Sequence, residues 1–293
     1  MALSLKDIKQ NLLKFGYVVV PDVLSDDEVT EAKAAHDAWR STIPDHDRIH
    51  NAVNPHGIYK FHEAGHQRHA WLIRTNPKVQ EIFAHLWDTT TDNLNVSFDG
   101  SCYISKDVAK KDNVWTHTDQ APASKGLHCY QGFVALTPNK ERTLVVYLGT
   151  HLIHEKYFAA MGNTSKTNWQ KIDLKTVEQI APLKRVLEVP AGALVLWDSR
   201  TFHQNQYGAP RSEERIVQYV CYLPKTHPKN TKTIQNKRLK YFEERRTTSH
   251  WPSPIYVNGK QPQTYGDESK LIDYDTLTPP KLDDLDAEIR KLL

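Results

Sequence analysis

No apolar stretch in the chain approaches the length of a bilayer span, and the N-terminus has no apolar leader core. The sequence therefore predicts neither a membrane-spanning helix nor a secreted protein. Cysteine is scarce: Cys102, Cys129 and Cys221 are odd in number, widely spaced and form no Cys-X-X-Cys pair. That speaks against a disulfide framework and against a thiolate zinc site, and it sets a cytoplasmic location as the expectation. Cys102 and Cys221 lie in apolar, strand-like runs, where a thiol is expected to be buried and inert. A net charge of +3, from 38 basic and 35 acidic residues, is too small to make nucleic acid or an acidic membrane the principal partner. No internal repeat or low-complexity tract is visible, and the terminal Arg290-Lys-Leu-Leu293 is not the Ser-Lys-Leu peroxisomal address.

What is present is a chain of 293 residues with seven Trp and thirteen Tyr, enough for a sizeable core. It reads as a single domain over 1–293. Residues 1–92 are mainly helical around one early strand. Ser4 is placed to cap a helix carrying Leu5, Ile8, Leu12 and Leu13, and Ser25-Asp-Asp-Glu28 is a capping-box pattern for a helix running towards Trp39. A third helix follows Asn76-Pro77, with Val79, Ile82, Phe83 and Leu86 on its buried side. From 93 to 224 the pattern changes to short apolar runs separated by turn residues: 95–98, 114–117, 132–136, 144–148, 194–197 and 216–220. This predicts a mainly β fold with flanking helices, a double-stranded β-helix or jelly roll. Residues 151–182 are an insertion between strands with a helix start expected near 165–169, a candidate lid or a plain surface excursion. Residues 225–293 form an extension packed on the core. Within it, 225–246 carries eight Lys or Arg against two Glu, a solvated helix face or, alternatively, a contact for nucleic acid or another polyanion.

The chemistry concentrates in His117-Thr-Asp119 and in His203, eighty-four residues beyond the aspartate. Strand side chains repeat every two residues, so Trp115, His117 and Asp119 point to one side. His203 follows the apolar run 193–198 and can arrive from a distant strand. Two imidazoles and a carboxylate can occupy one face of Fe(II), leaving three adjacent positions for a bidentate co-substrate and O2. Arg215, twelve residues after His203, can hold the far carboxylate of a dicarboxylate through two parallel hydrogen bonds. Arg211, eight residues after His203, is the fallback. Tyr103, Trp115, His128 and Phe133 are candidates for the mouth of the site, and equally for the core.

At these residues the chain resembles the phytanoyl-CoA dioxygenase family of Fe(II)- and 2-oxoglutarate-dependent oxygenases. The likeness extends to 15–29, which resembles the family's opening strand and serine-capped helix. It includes Leu144-Val-Val-Tyr-Leu-Gly-Thr-His151 and Leu196-Trp-Asp-Ser-Arg-Thr-Phe-His203, in the right order over roughly 15–224. Two departures stand out: Glu141-Arg142-Thr143 in place of Asn-Gly-Pro, and Leu148 in place of a turn proline. The resemblance implies His117, Asp119 and His203 as iron ligands, Arg215 on 2-oxoglutarate, and O2 as second co-substrate. It further implies oxidation of a C–H bond of a small organic substrate with release of succinate and CO2. Related halogenases lack the carboxylate ligand, so Asp119 favours hydroxylation.

One competing motif must be weighed. His62-Glu63-Ala-Gly-His66 is a literal His-Glu-X-X-His, the zinc-protease pattern that needs both imidazoles on one face of a helix. Gly65 inside it, with Pro55 and Gly57 upstream, argues against that helix. A third class, a metal-binding jelly-roll module without catalysis, is opposed by the complete set of three ligands and an arginine.

Overall fold

The computed structural model describes residues 3–293. In chain order the strands are β1 (Tyr17–Val20), β2 (Leu94–Val96), β3 (Ser101–Ile104), β4 (His117–Thr118), β5 (Tyr130–Ala135), β6 (Leu144–Tyr147), β7 (Gln170–Lys171), β8 (Lys184–Val186), β9 (Leu194–Asp198), β10 (His203–Asn205), β11 (Arg215–Val220) and β12 (Tyr222–Pro224). The fold divides into two compact units. One comprises the chain up to Asp22 together with Ile104–Arg215; the other comprises Val23–Tyr103 and Ile216–Leu293.

In the first unit, Ser4 caps the helix Leu5–Phe15 and exchanges hydrogen bonds with Asp7 at its third position. Gly16 ends that helix in the left-handed region at φ 83°, a conformation glycine adopts without a Cβ penalty. The reversal delivers β1 antiparallel to β9, with Tyr17 opposite Trp197, and β9 pairs in turn with β5. A second set of strands runs in the order β7-β4-β10-β6-β8. Its two faces are unlike. Val145, Tyr147, Phe202 and Ile172 form one apolar cluster with Phe158 and Val177, which come from the helices His154–Ala160 and Leu174–Gln179. The opposite parity carries a row across the sheet: Lys171 opposite His117, His117 opposite His203, His203 opposite Val146. Burying the apolar face against two helices thus turns both histidines towards the interior of the jelly roll.

Two local expectations are corrected here. The strand expected over 114–117 shrinks to His117–Thr118, because a side chain replaces the ladder before it. The Gln204 Oε1 accepts from the Trp115 N–H (3.2 Å) and from the Thr116 hydroxyl (2.7 Å). The helix start expected near 165–169 falls instead at Asp173, whose carboxylate accepts the Thr176 N–H at 2.9 Å.

The second unit contains the helices Asp26–Ser41 and Pro77–Leu86, capped by Ser25 with Glu28 and by Asn76 as the sequence predicts. It also contains the unforeseen short helices His46–Val53 and Arg68–Arg74 and the basic helix Lys232–Glu243. Arg238 of that last helix is buried and donates to the carbonyls of Pro252 and Leu292, so part of the basic run is structural. None of the three cysteines is in a disulfide, and all are buried. No helix among the described residues is long and apolar enough to cross a membrane.

This unit also buries many histidines in neutral form. Burial lowers His46 to about 4 against the opposing pull of Asp47, and His62 to about 4. It lowers His50 and His66 to about 3, against hydrogen bonds to the carbonyls of Tyr103 and Arg246. In the unfolded chain each returns to about 6.5. Between the folded and unfolded values the unfolded state binds more protons, so this stability is complete above about pH 6.5 and is lost as pH falls towards the folded values. Each such histidine loses about 1.4 kcal/mol per pH unit within the window. The urea midpoint is therefore expected to fall steeply from pH 7 to pH 5. A midpoint flat over that interval would mean these imidazoles are already solvated in the native state.

Candidate metal centre

His117, Asp119 and His203 each turn a ligand atom to one point, and these atoms lie within 4.8 Å of one another. Among the described residues this is the one group of histidine, cysteine and acidic side chains so arranged. All three are buried and all belong to the first unit. The Nδ1 of His117 meets the Trp115 carbonyl at 3.1 Å, and that of His203 meets the Thr201 carbonyl at 2.9 Å. A carbonyl only accepts, so both Nδ1 atoms carry the proton, and in the neutral ring Nε2 is the nitrogen able to coordinate. Those Nε2 atoms face the two oxygens of Asp119: His117 stands 3.7 Å from Oδ1, His203 3.3 Å from Oδ2. Adjacent ligands on an octahedral ion with bonds near 2.1 Å sit about 3 Å apart, so the three could close on a cation with small movements. Backbone carbonyls fixing the far nitrogens are the usual outer support of such a site.

Gln131 on β5 adds a second support. Its Nε2 donates to Asp119 Oδ2 at 3.1 Å, which orients the carboxylate. Two residues on, on the same face of β5, the Phe133 ring lies 5.5 Å from the guanidinium carbon of Arg215. Residues two apart on a strand are separated by about 7 Å, so the face of β5 runs from the candidate ligands to the arginine over the length of a small diacid. Across the pair, Trp197 opposes Gln131, and its ring stands 5.4 Å from His203 and 6.0 Å from Phe133.

Arg215 is wholly buried, and only its Nε is bonded, to Asn139 Oδ1 at 3.2 Å. Its Nη1 and Nη2 have no hydrogen-bond partner among the described residues, and neither has the buried Nε1 of Trp197. A guanidinium left with two unsatisfied nitrogens in the interior is costly, and a carboxylate accepting from both would remove the cost. Among the described residues, the site thus presents donor atoms for a metal and, a strand's face away, a cationic fork whose two open nitrogens match the two oxygens of a carboxylate.

Arg211, by contrast, is exposed and sits in the left-handed region at φ 65° in the loop before β11. Of the other sequence candidates, Trp115 stacks on His117 (4.8 Å between rings, 21°) and Phe133 lies beneath Arg215. The His128 backbone N–H donates to Gln120, beside the aspartate but not in the group. Tyr103 belongs to the second unit, where the Arg40 guanidinium covers its ring. Sequence reasoning missed Gln131, Trp197 and Trp169. Trp169 alone left a trace, as an aromatic within the 151–182 insertion.

The protease motif fails on backbone grounds. His62 and Glu63 have φ of 58° and 54°, so the segment is a turn leading into the 3-10 turn Ala64–His66, not a helix. Glu63 is held by Arg245 at 2.6 Å, and His66 is bound to the Arg246 carbonyl at 3.1 Å.

Against known proteins, the family model for phytanoyl-CoA dioxygenase (PhyH) matches residues 12–207. A relative from Aspergillus versicolor, "Ava biosynthesis cluster protein O", is 31% identical over 220 residues, covering 69% of each chain. Among solved structures, the epimerase SnoN in complex with Fe3+, alpha ketoglutarate and nogalamycin RO superposes with a TM-score of 0.50 at 20% identity, over 76% of this chain and 84% of that one. GlcNAc Inducible Gene 2 from Candida albicans gives 0.66 at 15% identity, over 97% of this chain and 75% of that one. These structural likenesses share the fold.

Proposed function

The chain belongs to the phytanoyl-CoA dioxygenase family, and from that premise we propose that it is an Fe(II)- and 2-oxoglutarate-dependent dioxygenase that hydroxylates a C–H bond of a small organic substrate. His117, Asp119 and His203 hold the metal, and Arg215 receives the distal carboxylate of the keto acid. The observation that carries this reading is the buried, half-satisfied guanidinium of Arg215. A bare metal-binding module has no use for it, whereas a dicarboxylate supplies the two acceptors it lacks.

With both bound, the metal and keto acid supply O2 activation coupled to decarboxylation, the C–H bond gaining one oxygen atom and the keto acid leaving as succinate and CO2. The chain's own part is positioning and electrostatics. Trp115 and Thr201 carbonyls keep the imidazole protons on Nδ1, so Nε2 is always the donor to the metal. Gln131 donates to Oδ2 of Asp119 and steadies the carboxylate for coordination. Phe133 and Trp197 line the approach with apolar surface and exclude water from around the arginine, which strengthens its grip on an anion. That a relative carries the name of a biosynthesis cluster protein supports a small-molecule substrate.

The test is an anaerobic titration of metal-free protein with Fe(II) and then 2-oxoglutarate, followed by the visible charge-transfer band of the chelate. The band is expected in the wild type and should vanish in His203→Ala. Tight zinc binding with no band under any condition would overturn the assignment.

A further inference from the structure

Trp169 is the one large aromatic of the first unit whose conformation runs against its own backbone preference beside the candidate centre. It precedes β7, whose Lys171 and Gln170 pair with His117 and Thr118. Continuing that register by one residue sets Trp169 opposite Asp119, and its odd parity puts it on the face shared by His117. Its indole stacks on the His117 ring, 5.4 Å between centroids at 29°. Trp115 stacks on the same imidazole, but its indole N–H is committed to the Asn205 carbonyl at 2.8 Å.

The Trp169 side chain is 49% exposed, and its φ is 64°. A bulky residue in the left-handed region carries strain of about 1–3 kcal/mol, and a half-exposed ring recovers little of that through burial. The surrounding segment nevertheless enforces the conformation. Asn168 Oδ1 accepts the Ala121 N–H at 3.1 Å, the Ser165 carbonyl accepts the Ala123 N–H at 3.0 Å, and Gln170 Nε2 donates to the Thr167 carbonyl at 2.8 Å. The ring is therefore a preorganised flat surface at the mouth of the site, not a loose surface residue.

Its surroundings select what it holds. Lys171 shares the ligand face in register, and Lys166 is exposed in the same segment. The nearest carboxylate in sequence, Asp173, is occupied by the Thr176 N–H, the Thr176 hydroxyl and the Tyr157 hydroxyl. A cationic guest would meet the like charges of Lys166 and Lys171, while the Asp173 carboxylate beside them already accepts three hydrogen bonds. Resting on the oxygenase reading above, we infer that Trp169 is the specificity-determining platform of the substrate site and that the substrate presents a planar, neutral or anionic ring to it.

The test uses the full chain loaded with Mn(II) and saturating 2-oxoglutarate. The probes are 2-naphthamide and its saturated counterpart decahydro-2-naphthamide, read by paramagnetic broadening of probe proton lines. Stacking of this kind corresponds to about tenfold in affinity, so Trp169→Gly should bind naphthamide about tenfold more weakly and Trp169→Phe within about twofold of wild type. The saturated amide should bind wild type about tenfold more weakly than the planar one and be indifferent to either substitution. Glycine is at ease at this φ, so Trp169→Gly should keep its thermal midpoint and its Mn(II) affinity. Equal binding of the two amides, naphthamide affinity unmoved by Trp169→Gly, or no naphthamide broadening in the wild type would overturn the inference while the centre stands. Loss of Mn(II) from Trp169→Gly would recast the ring as a support for His117. A wild type that binds no Mn(II) would remove the oxygenase reading and this inference together.

Discussion

Asp119→Ala is expected to abolish 2-oxoglutarate turnover and to weaken Mn(II) or Fe(II) binding by far more than any neighbouring change. Loss of an outer-shell partner of a metal ligand costs about 10- to 100-fold in affinity, so loss of the ligand itself should exceed that range. Gln131→Leu is the internal standard: it removes only the 3.1 Å bond that steadies Asp119 Oδ2 and should fall within the outer-shell range. The fold should survive Asp119→Ala, because the charge removed is buried and faces two imidazole nitrogens rather than a cation of the chain. Metal affinity by isothermal titration, with circular dichroism as the fold check, separates the cases. Succinate production that persists in Asp119→Ala would place the centre elsewhere.

The site was legible in the sequence where strand parity decides it. His117 and Asp119 on one side, and His203 after an apolar run, follow from a period of two and from the need to bury 194–197. Arg215 opens an apolar run and Arg211 does not, and the structure places Arg215 in the interior at the head of β11 while Arg211 stays in the loop. What sequence could not supply is long-range substitution of one kind of bond by another. Gln204 takes the place of a strand ladder beside Trp115, over a separation of 89 residues, and no local pattern announces it. The His-Glu-X-X-His motif misleads for the converse reason: its spacing is helical, but φ values near 55° at its first two residues make that spacing irrelevant.

The two departures from the family pattern are also resolved by bonds. Arg142 is buried and donates to the carbonyls of Ser105, Lys106 and Val108, anchoring the segment that leads towards β4. Leu148 has a backbone N–H, which donates to the Leu183 carbonyl at 2.9 Å where a proline would have none. Each departure thus replaces a turn residue with a cross-segment tether inside the first unit.

Arg215 should separate binding from stability. Truncating one partner of a buried, hydrogen-bonded charge pair costs about 2–5 kcal/mol, so Arg215→Met should raise the KM for 2-oxoglutarate by about 30-fold to several thousandfold. In the ligand-free protein the same change removes a buried cation whose Nη1 and Nη2 have no partner, and replaces it with an apolar chain of similar length. Its thermal midpoint without 2-oxoglutarate should therefore hold or rise, because an unpaired interior charge opposes folding. Saturating 2-oxoglutarate should then raise the wild-type midpoint and leave that of Arg215→Met unmoved. Arg215→Lys keeps the charge but loses the planar fork, and should restore only part of the affinity. Arg211→Ala, at an exposed loop position, should change KM by no more than about twofold. A reversed order, with Arg211 sensitive and Arg215 silent in both KM and ligand-induced stabilisation, would mean that the interior guanidinium serves the fold and that the keto acid is held from the loop.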